Sequence, residues 1–437
     1  MLGLRRYALV PMLLAAALGR AETRITIATV NNGDMIIMQR LSKEFEKQNP
    51  DITVNWVILE ENVLRARVTT DIATRGSQFD VLTIGTYETP IWGKRGWLAR
   101  LDEDLPAGYD LDDVLRPIRD GLSYQGRLYA LPFYGESSFT FYRTDLFEAA
   151  GLKMPDQPAW DDIARFAKAL HHPEKGIYGI CLRGKPGWGE NMGFISTLVH
   201  TFGGRWFDES WRPQLDTPEW REAIDFYVKL VRSYGPPGIT SDGHNECRAL
   251  FATGKCAMWV DATVAASYMF DPAESKVADK VAFARAPVRK SPAGCQWLWS
   301  WALAIPVSSQ HTKEAKRFIQ WATSKEYIRL VARTDGWAAV PPGTRRSTYE
   351  EPRYVKAAPF AGLTLQAILA ADPSHPTDRP VPYFGIQYVA IPEFQSIGTQ
   401  VGQLVAAALA GDTTVEQALR SAQQAVERTM RRAGYFQ

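Results

Sequence analysis

The stretch RITIATVNNGDMIIMQRLSKEFEKQNPDITVNWVIL, residues 24–59, decides the fold class of this chain. RITIATV is rich in β-branched residues and predicts a strand, whereas the apolar positions of MIIMQRLSKEFEKQN recur at helical spacing. Pro50 predicts the end of that helix, and DITVNWVIL predicts a second strand. A strand, a helix and a strand in this order predict a parallel pair joined by a right-handed crossover.

The same alternation continues along the chain. ENVLRARVTTDIATRG (61–76) predicts a helix, FDVLTIGT (79–86) a strand and PIWGKRGWLARL (90–101) a further helix. Loops at the carboxyl ends of parallel strands form the usual ligand crevice of such sheets. The chain has 437 residues, more than one hydrophobic core usually supports, so two lobes are expected.

A second α/β region follows an extended stretch, LYALPFYGESSFTFYRTDLF (128–147). Its predicted helices are AWDDIARFAKAL (159–170) and EWREAIDFYVKLVRSY (219–234), and its predicted strands are IYGICLRG (177–184) and KCAMWVDA (255–262). Towards the C-terminus, the sequence predicts helices at 314–324 and 325–334, a loop-rich stretch over 341–382 and an amphipathic helix at 414–432.

Residues 1–21 are typical of a secretory signal peptide. They begin with two arginines, continue with an apolar run from Tyr7 to Leu18 and end on small residues. Removing them takes away three arginines and no acid, which changes the formal net charge from +2 to −1. A near-neutral chain without basic blocks predicts no nucleic-acid partner. No later stretch approaches the roughly 20 apolar residues of a membrane helix.

Four cysteines, Cys181, Cys247, Cys256 and Cys295, lie in the part predicted to be exported. An oxidising compartment permits disulfides there, and a bond between Cys247 and Cys256 is one expectation, because the helix and turn between them could fold back. Four buried thiols are the alternative, since free cysteine is among the most buried residue types.

Catalytic and cofactor signatures are mostly missing from the sequence. It contains no P-loop, no G-x-G-x-x-G after a strand, no G-x-S-x-G elbow and no pair of histidines at zinc-helix spacing, so no metal and no cofactor is predicted. A carboxylate pair for glycosidic chemistry can come from any part of a chain. Glu136, Glu190 and Asp261 are the candidates for such a pair.

Aromatic residues stand beside compact polar ones in several predicted loops: GTYETPIW (85–92), FYGESS (133–138), GKPGWGEN (184–191), MWVDAT (258–263) and WLWSW (297–301). Sugars and polyols offer C–H edges to aromatic faces and hydroxyls to carboxylates and amides, so this mixture predicts a pocket for a small polar ligand. In the strand WLWSW, Trp297, Trp299 and Trp301 would share one face. Trp160, Trp220 and Trp321 are assigned to packing.

The whole predicted mature chain resembles a known family, the extracellular solute-binding proteins of ABC importers related to maltose-binding protein. The motifs that carry the resemblance are ITIATVNNGD, FDVLTIGT before RGWLARLDE, LYALPFYGESSFTFYRTDLFEAAGL, ALFATGKCAMWVD and AGDTTVEQAL. YGESSFTFYRTDLF, GKPGWGENM, MWVDATVAAS and GIQYVAIPEFQ look most like the subgroup that binds sorbitol, mannitol and related polyols.

The resemblance implies a two-lobe periplasmic-binding-protein fold of type II, with hinge crossings between the lobes and the ligand cleft between them. One lobe would comprise 22–133 and 300–341, and the other 134–299 and 342–437. It also implies a non-enzymatic protein, expected to be a periplasmic monomer, that delivers a small neutral polyol or sugar to a membrane permease. Another mono- or disaccharide, a secreted glycan-active hydrolase and a surface adhesin or sensor are the alternatives.

Positions that match ligand-contacting places of the family are Asn32, Tyr87, Glu88, Glu136, Trp188, Asn191, Asp261 and Tyr388. The chemistry of these residue types assigns Trp188 and Trp299 to stacking, and Glu136, Asp261, Asn191 and Asn32 to hydrogen bonds with hydroxyls. Lys185 either donates to a hydroxyl or is solvated. Trp299 is expected to border the cleft, Trp297 is left open, and Trp301 is expected to continue into the first lobe. Asn32 stands where the maltose binder has a carboxylate, which disfavours an oligosaccharide.

Overall fold

The structure is a computed structural model that describes residues 22–437, so the predicted signal peptide lies outside the described residues. The strands are β1 (Thr23–Val30), β2 (Ile52–Leu59), β3 (Val81–Gly85), β4 (Ser123–Tyr124), β5 (Arg127–Leu128), β6 (Leu131–Glu136), β7 (Ser138–Arg143), β8 (Met258–Ala262), β9 (Val281–Arg285) and β10 (Trp299–Ala304).

The helices of the first part of the chain are α1 (Gly33–Gln48), α2 (Glu61–Thr74), α3 (Glu88–Lys94), α4 (Arg116–Gly121), α5 (Thr144–Ala149), α6 (Trp160–Ala169), α7 (Asn191–Thr201), α8 (Pro218–Tyr234) and α9 (His244–Ala252). Those of the second part are α10 (Ala266–Met269), α11 (Thr312–Ala322), α12 (Lys325–Thr334), α13 (Arg346–Glu350), α14 (Pro352–Ala357), α15 (Ala361–Ala370), α16 (Phe394–Ala410) and α17 (Val415–Arg432). No described helix is long and apolar enough to cross a bilayer.

The larger sheet has five strands in the order β2-β1-β3-β10-β6. β1 pairs in parallel with both β2 and β3, and α1 and α2 form the connections between these strands. The strand and helix order predicted for residues 24–86 is therefore confirmed. β10 and β6 complete the sheet in antiparallel pairing, with Trp299 opposite Glu136.

A second, antiparallel sheet has the order β8-β7-β9. β6 ends at Glu136 and β7 begins at Ser138, so the chain crosses from the larger sheet to the smaller one within a single residue. Helices α7, α16 and α17 pack with α8. The two sheets with their own helices confirm the predicted α/β fold with two lobes.

Several local predictions are wrong. The helix predicted over 90–101 ends at Lys94, and the predicted strand at 177–184 forms only isolated bridges, such as the one from Cys181 to Trp259. The stretch over 341–382, predicted as loop, contains α13, α14 and α15. Frequent prolines signalled turns there, but proline also begins helices at their first position, as Pro352 does.

Helix α7 was not predicted, and the reason is its complete burial. All eleven of its residues are buried, so the sequence NMGFISTLVHT has no polar face and no helical periodicity. The packing role predicted for three tryptophans is confirmed. Trp160 and Trp220 are buried, and Trp321 packs against Phe45 with ring centroids 5.5 Å apart.

All four cysteines are buried free thiols, so the predicted Cys247–Cys256 bond is wrong and the alternative of four buried thiols is correct. Cys247 lies on α9 and Cys256 follows the turn after that helix, but the turn does not bring the two sulfurs into a bond. Burial raises the pKa of the Cys247 thiol to about 11, which keeps it protonated and unreactive at neutral pH.

A buried arginine, Arg65, joins α2 to the extended segment 297–304, the tryptophan strand, which carries Trp297, Trp299 and Trp301. The Arg65 guanidinium pairs with Glu61 at 2.9 Å and with Glu88 at 2.5 Å, and only 5% of the Arg65 side chain is exposed. It also lies over two indoles of the strand, at 5.0 Å from the Trp299 ring centroid and 4.7 Å from that of Trp301. Cation–π attraction and the two ion pairs together stabilise this buried charge.

We expect Arg65→Met to destabilise the folded protein by about 3–5 kcal/mol, because Glu88 would stay buried without its counter-charge. The free energy of unfolding in urea measures this effect. Arg65→Met combined with Glu88→Gln should recover part of the loss, since the unpaired charge is then gone.

Arg67→Met is the matched control for this prediction. Arg67 lies two residues further along α2, and its side chain is exposed. Its replacement should leave the free energy of unfolding nearly unchanged. Equal effects of the two single variants would contradict the structural role given to Arg65.

Candidate functional site

A cavity of about 320 Å³ lies between loops that belong to the two sheets. On the side of the larger sheet, its wall comprises 30–34 and 58–61, which follow the carboxyl ends of β1 and β2. On the opposite side, the wall is formed by 183–190, 244–248 and 262–268. This is the crevice position expected for ligands of parallel α/β sheets.

The tryptophan strand forms the floor of this cavity. Trp297, Trp299 and Trp301 all line it, as expected for alternate residues of an extended chain. Trp301 belongs to the five-stranded sheet, as predicted, and reaches the cavity as well. Trp188, from the opposite wall, meets Trp299 edge to face at 5.9 Å between ring centroids. Four indoles therefore line the cavity, and each exposes a small part of its surface, 3–5%, to it.

Arg183 is the second buried cation at the cavity. Its guanidinium donates to both oxygens of Asp261, at 2.8 Å from Nε and 2.5 Å from Nη2. His244 Nδ1 lies 2.8 Å from Asp261 Oδ1, and the backbone N–H of Ala262 donates to the same oxygen. Burial alone would raise the pKa of Asp261, but the charges of Arg183 and His244 outweigh it and lower the pKa below its ordinary value.

Three carboxyl groups in the wall have raised pKa values, whereas the pKa of Asp261 is lowered. Burial raises the pKa of Asp34 to about 7 and that of Glu190 to about 7. It raises the pKa of Glu136 well above its ordinary value, although the Arg183 charge opposes the shift. Among residues 22–437 no group donates a hydrogen bond to the Glu136 carboxyl. These acids are buried in the wall, where hydroxyl donors would be strongly favoured partners.

Two polar side chains of the wall are already engaged. Asn32 caps α1, because its Oδ1 accepts from the Met35 N–H at 3.0 Å, and its Nδ2 donates to the Tyr134 hydroxyl at 2.9 Å. Lys185 Nζ lies 2.7 Å from Glu60 Oε1 across the cavity mouth. Lys185 is therefore ion-paired with Glu60, and it is neither a solvated side chain nor one directed only at the cavity.

The structure divides the ten predicted ligand residues into two groups of five. The residues that line the cavity are Asn32, Glu136, Lys185, Trp188 and Trp299. The residues that lie behind the wall are Tyr87, Glu88, Asn191, Asp261 and Tyr388.

The second group holds the wall in place. Tyr87 packs on Trp188 at 4.7 Å between ring centroids, and its hydroxyl donates to the carbonyl of Ile391. Asn191 accepts from the Gly187 N–H and donates to the Gly402 carbonyl. Tyr388 meets Trp299 at 6.0 Å between ring centroids.

Sequence reasoning missed both buried arginines. Arg65 stands three and seven residues before Val68 and Ile72 on the buried stripe of α2, so its helical position was a usable signal. Arg183 gave no local signal, because its partner Asp261 is 78 residues away in sequence. Tertiary contact alone creates that pair.

The pair of Glu136 and Asp261, a candidate for glycosidic chemistry, is not arranged as a free acid and base. The Asp261 carboxylate is fully buried and both of its oxygens accept hydrogen bonds from Arg183, so it does not face Glu136 as a free nucleophile or base. Over residues 22–437, no group of three or more His, Cys, Asp or Glu side chains could hold a metal ion. What remains is a cavity with indole faces and hydrogen-bond acceptors.

Comparison with known proteins agrees with this geometry. The family model described as bacterial extracellular solute-binding protein matches residues 32–328. A mannitol-binding protein of Pseudomonas aeruginosa is 60% identical over 95% of this chain and 94% of its own length.

Solved structures give the same result. An ABC transporter solute-binding protein from Agrobacterium vitis S4, with bound D-mannitol, is 60% identical, has a TM-score of 0.94 and covers 95% of this chain and 100% of its own. A ribitol complex from Agrobacterium radiobacter K84 has a TM-score of 0.82 at 24% identity over 94% of this chain and 99% of its own, which shows the shared fold. This chain belongs to the family of bacterial extracellular solute-binding proteins.

Proposed function

We propose that this protein binds a small neutral polyol of the mannitol type in the cavity and delivers it to the permease of an ABC importer. The protein acts in the periplasm as a monomer, and it releases its ligand chemically unchanged. The mannitol-binding relative and the structure with bound D-mannitol support this proposal, since both are 60% identical to this chain.

The observation that carries the proposal is the charge pairing of the cavity wall. Arg65, Arg183 and Lys185 all have carboxylate partners in the protein, which offset their charges towards an anionic ligand, and Arg248, another cation of the wall, stacks on Tyr268. The Glu136 carboxyl, in contrast, lacks a donor. A neutral ligand with several hydroxyl donors suits such a wall, whereas a carboxylate ligand would be repelled.

The ligand residues follow from this placement. Trp188 and Trp299 provide stacking faces, and Glu136 and Asn32 provide hydrogen-bonding groups to hydroxyls. Lys185 contributes one N–H donor beside its ion pair with Glu60. The residues behind the wall (Tyr87, Glu88, Asn191, Asp261 and Tyr388) act on the ligand by holding these groups in position.

The lobe limits proposed from the sequence, 22–133 with 300–341 and 134–299 with 342–437, fit this function. The crossings near 134 and 300 lie where β6 and β10 meet the cavity. Movement at these crossings would open and close the cavity around the ligand.

Calorimetric titration with D-mannitol, D-sorbitol, D-arabitol, D-glucose, maltose and D-gluconate tests the proposal. We expect saturable binding of at least one hexitol and none of D-gluconate, because its carboxylate would lie beside the buried carboxyls of Asp34, Glu136 and Glu190. Ligand at 100 times its Kd should stabilise the protein by about 2.7 kcal/mol. Binding of maltose without any polyol, or of gluconate as tightly as a polyol, would refute the proposed ligand class.

Glu136→Leu should change affinity and stability in opposite directions. Loss of the carboxyl should weaken polyol binding by about 10- to 100-fold, because a buried ligand hydroxyl would lose its hydrogen-bond partner. The ligand-free variant should be more stable than the wild type at neutral pH, because a buried carboxyl without a donor is removed.

The pH dependence of this stability difference follows from the raised pKa of Glu136. Below the unfolded pKa of about 4.3, Glu136 is protonated in the folded and the unfolded protein and costs no stability through its charge. As pH rises from there towards the folded pKa, the unfolded state loses its proton first, so the folded protein loses stability. The stability advantage of Glu136→Leu should therefore grow above about pH 4.3. Glu148→Leu, at an exposed position, is the control and should leave affinity unchanged. Wild-type affinity in the Glu136 variant would contradict its role.

A further inference from the structure

The first residue of α1 lies in direct contact with the opposite wall of the cavity. Gly33 follows Asn32 at the carboxyl end of β1, and Tyr268 on α10 follows the smaller sheet. A Cβ atom on Gly33 would overlap the phenol ring of Tyr268. Arg248 stacks on that ring at 4.3 Å from its centroid.

Two glycines of the opposite wall lie in the same kind of close contact with side chains of the first wall. A Cβ atom on Gly187 would lie 2.5 Å from Asn62 Oδ1, and one on Gly189 would overlap the Glu61 carboxylate. Glu61 is fixed by its ion pair with Arg65, so it has little room to give way. The first turn of α2 and the loop over 185–190 are thus in contact.

Polar contacts hold the same two segments together. Asn62 Nδ2 donates to the Pro186 carbonyl at 3.3 Å, and Lys185 pairs with Glu60 at 2.7 Å. On the far side of the cavity mouth, Asn245 Nδ2 donates to the Asn31 carbonyl at 3.2 Å. Each of these contacts joins a loop of one sheet to a loop of the other.

The local structure gives no reason for glycine at position 33. Its backbone is not in the left-handed region, and it occupies the first turn of a helix, where alanine is the better residue by up to about 1 kcal/mol. The contact with Tyr268 is what the missing Cβ makes possible.

We propose that Gly33 and Gly189 are positioning residues that set the distance at which the two walls meet, and that ligand affinity depends on this distance. The inference rests on the proposed function. A Cβ at either of these positions keeps the walls apart, so the ligand contacts one wall only. Ligand then dissociates faster, because the closed state is less populated.

Gly33→Ala tests this inference, with Gly362→Ala as its matched control. Gly362 also lies in the first turn of a helix, α15, and a Cβ there meets nothing within 4 Å. We expect Gly33→Ala to weaken D-mannitol binding by about 100-fold, a coupling of the size seen between residues in contact. The urea midpoint of the ligand-free protein should not fall. The control should bind as the wild type does.

Removal of the opposing ring provides the rescue. In a Tyr268→Ala background, Gly33→Ala should change affinity by less than about threefold, because the added methyl then has space. X-ray scattering at saturating D-mannitol should show a larger radius of gyration for Gly33→Ala than for the wild type.

Three outcomes decide the matter. An affinity of Gly33→Ala within threefold of the wild type would overturn the inference alone. So would an equal loss in the presence and in the absence of Tyr268, since the effect would not arise from that contact. If the wild type binds no polyol, the proposed function fails and the inference fails with it.

Discussion

The buried ion pair between Arg65 and Glu88 is the interaction on which the cavity depends. It holds a positive charge beneath Trp188, Trp299 and Trp301 and neutralises that charge within the protein. Arg183 and Asp261 do the same on the opposite wall. Because both guanidinium groups are occupied, they fix the geometry of the indoles and the backbone without attracting anions. Glu136 is left without a donor in the buried wall, and hydroxyls are the partners it can take from a neutral ligand.

The fold could be predicted from the sequence to the extent that each element had one polar and one buried face. α1 follows such periodicity, β1 was recognised by its β-branched residues, and β1, α1, β2 and α2 occur as predicted. Elements buried on all sides have no such signal, and α7 was missed for this reason. The helices over 346–370 were missed because proline was interpreted only as a turn residue.

The site was predictable where residue chemistry and loop position coincide. The aromatic and acidic residues after strands led to Glu136, Trp188 and Trp299, which line the cavity. The distinction between a wall residue and one behind the wall depends on long-range packing. Asp261, for example, has the residue type and loop position of a ligand group, yet its carboxylate is bound by Arg183 from 78 residues away. A single sequence does not contain that pairing.

A crystal structure of the protein grown with D-mannitol tests the central claim most directly. The account predicts one acyclic ligand between Trp188 and Trp299, with a ligand hydroxyl within hydrogen-bond distance of the Glu136 carboxylate. It also predicts that Arg65 and Arg183 keep their carboxylate partners in the complex. A ligand held by either guanidinium in place of Glu88 or Asp261, or a cavity left empty at saturating mannitol, would contradict it.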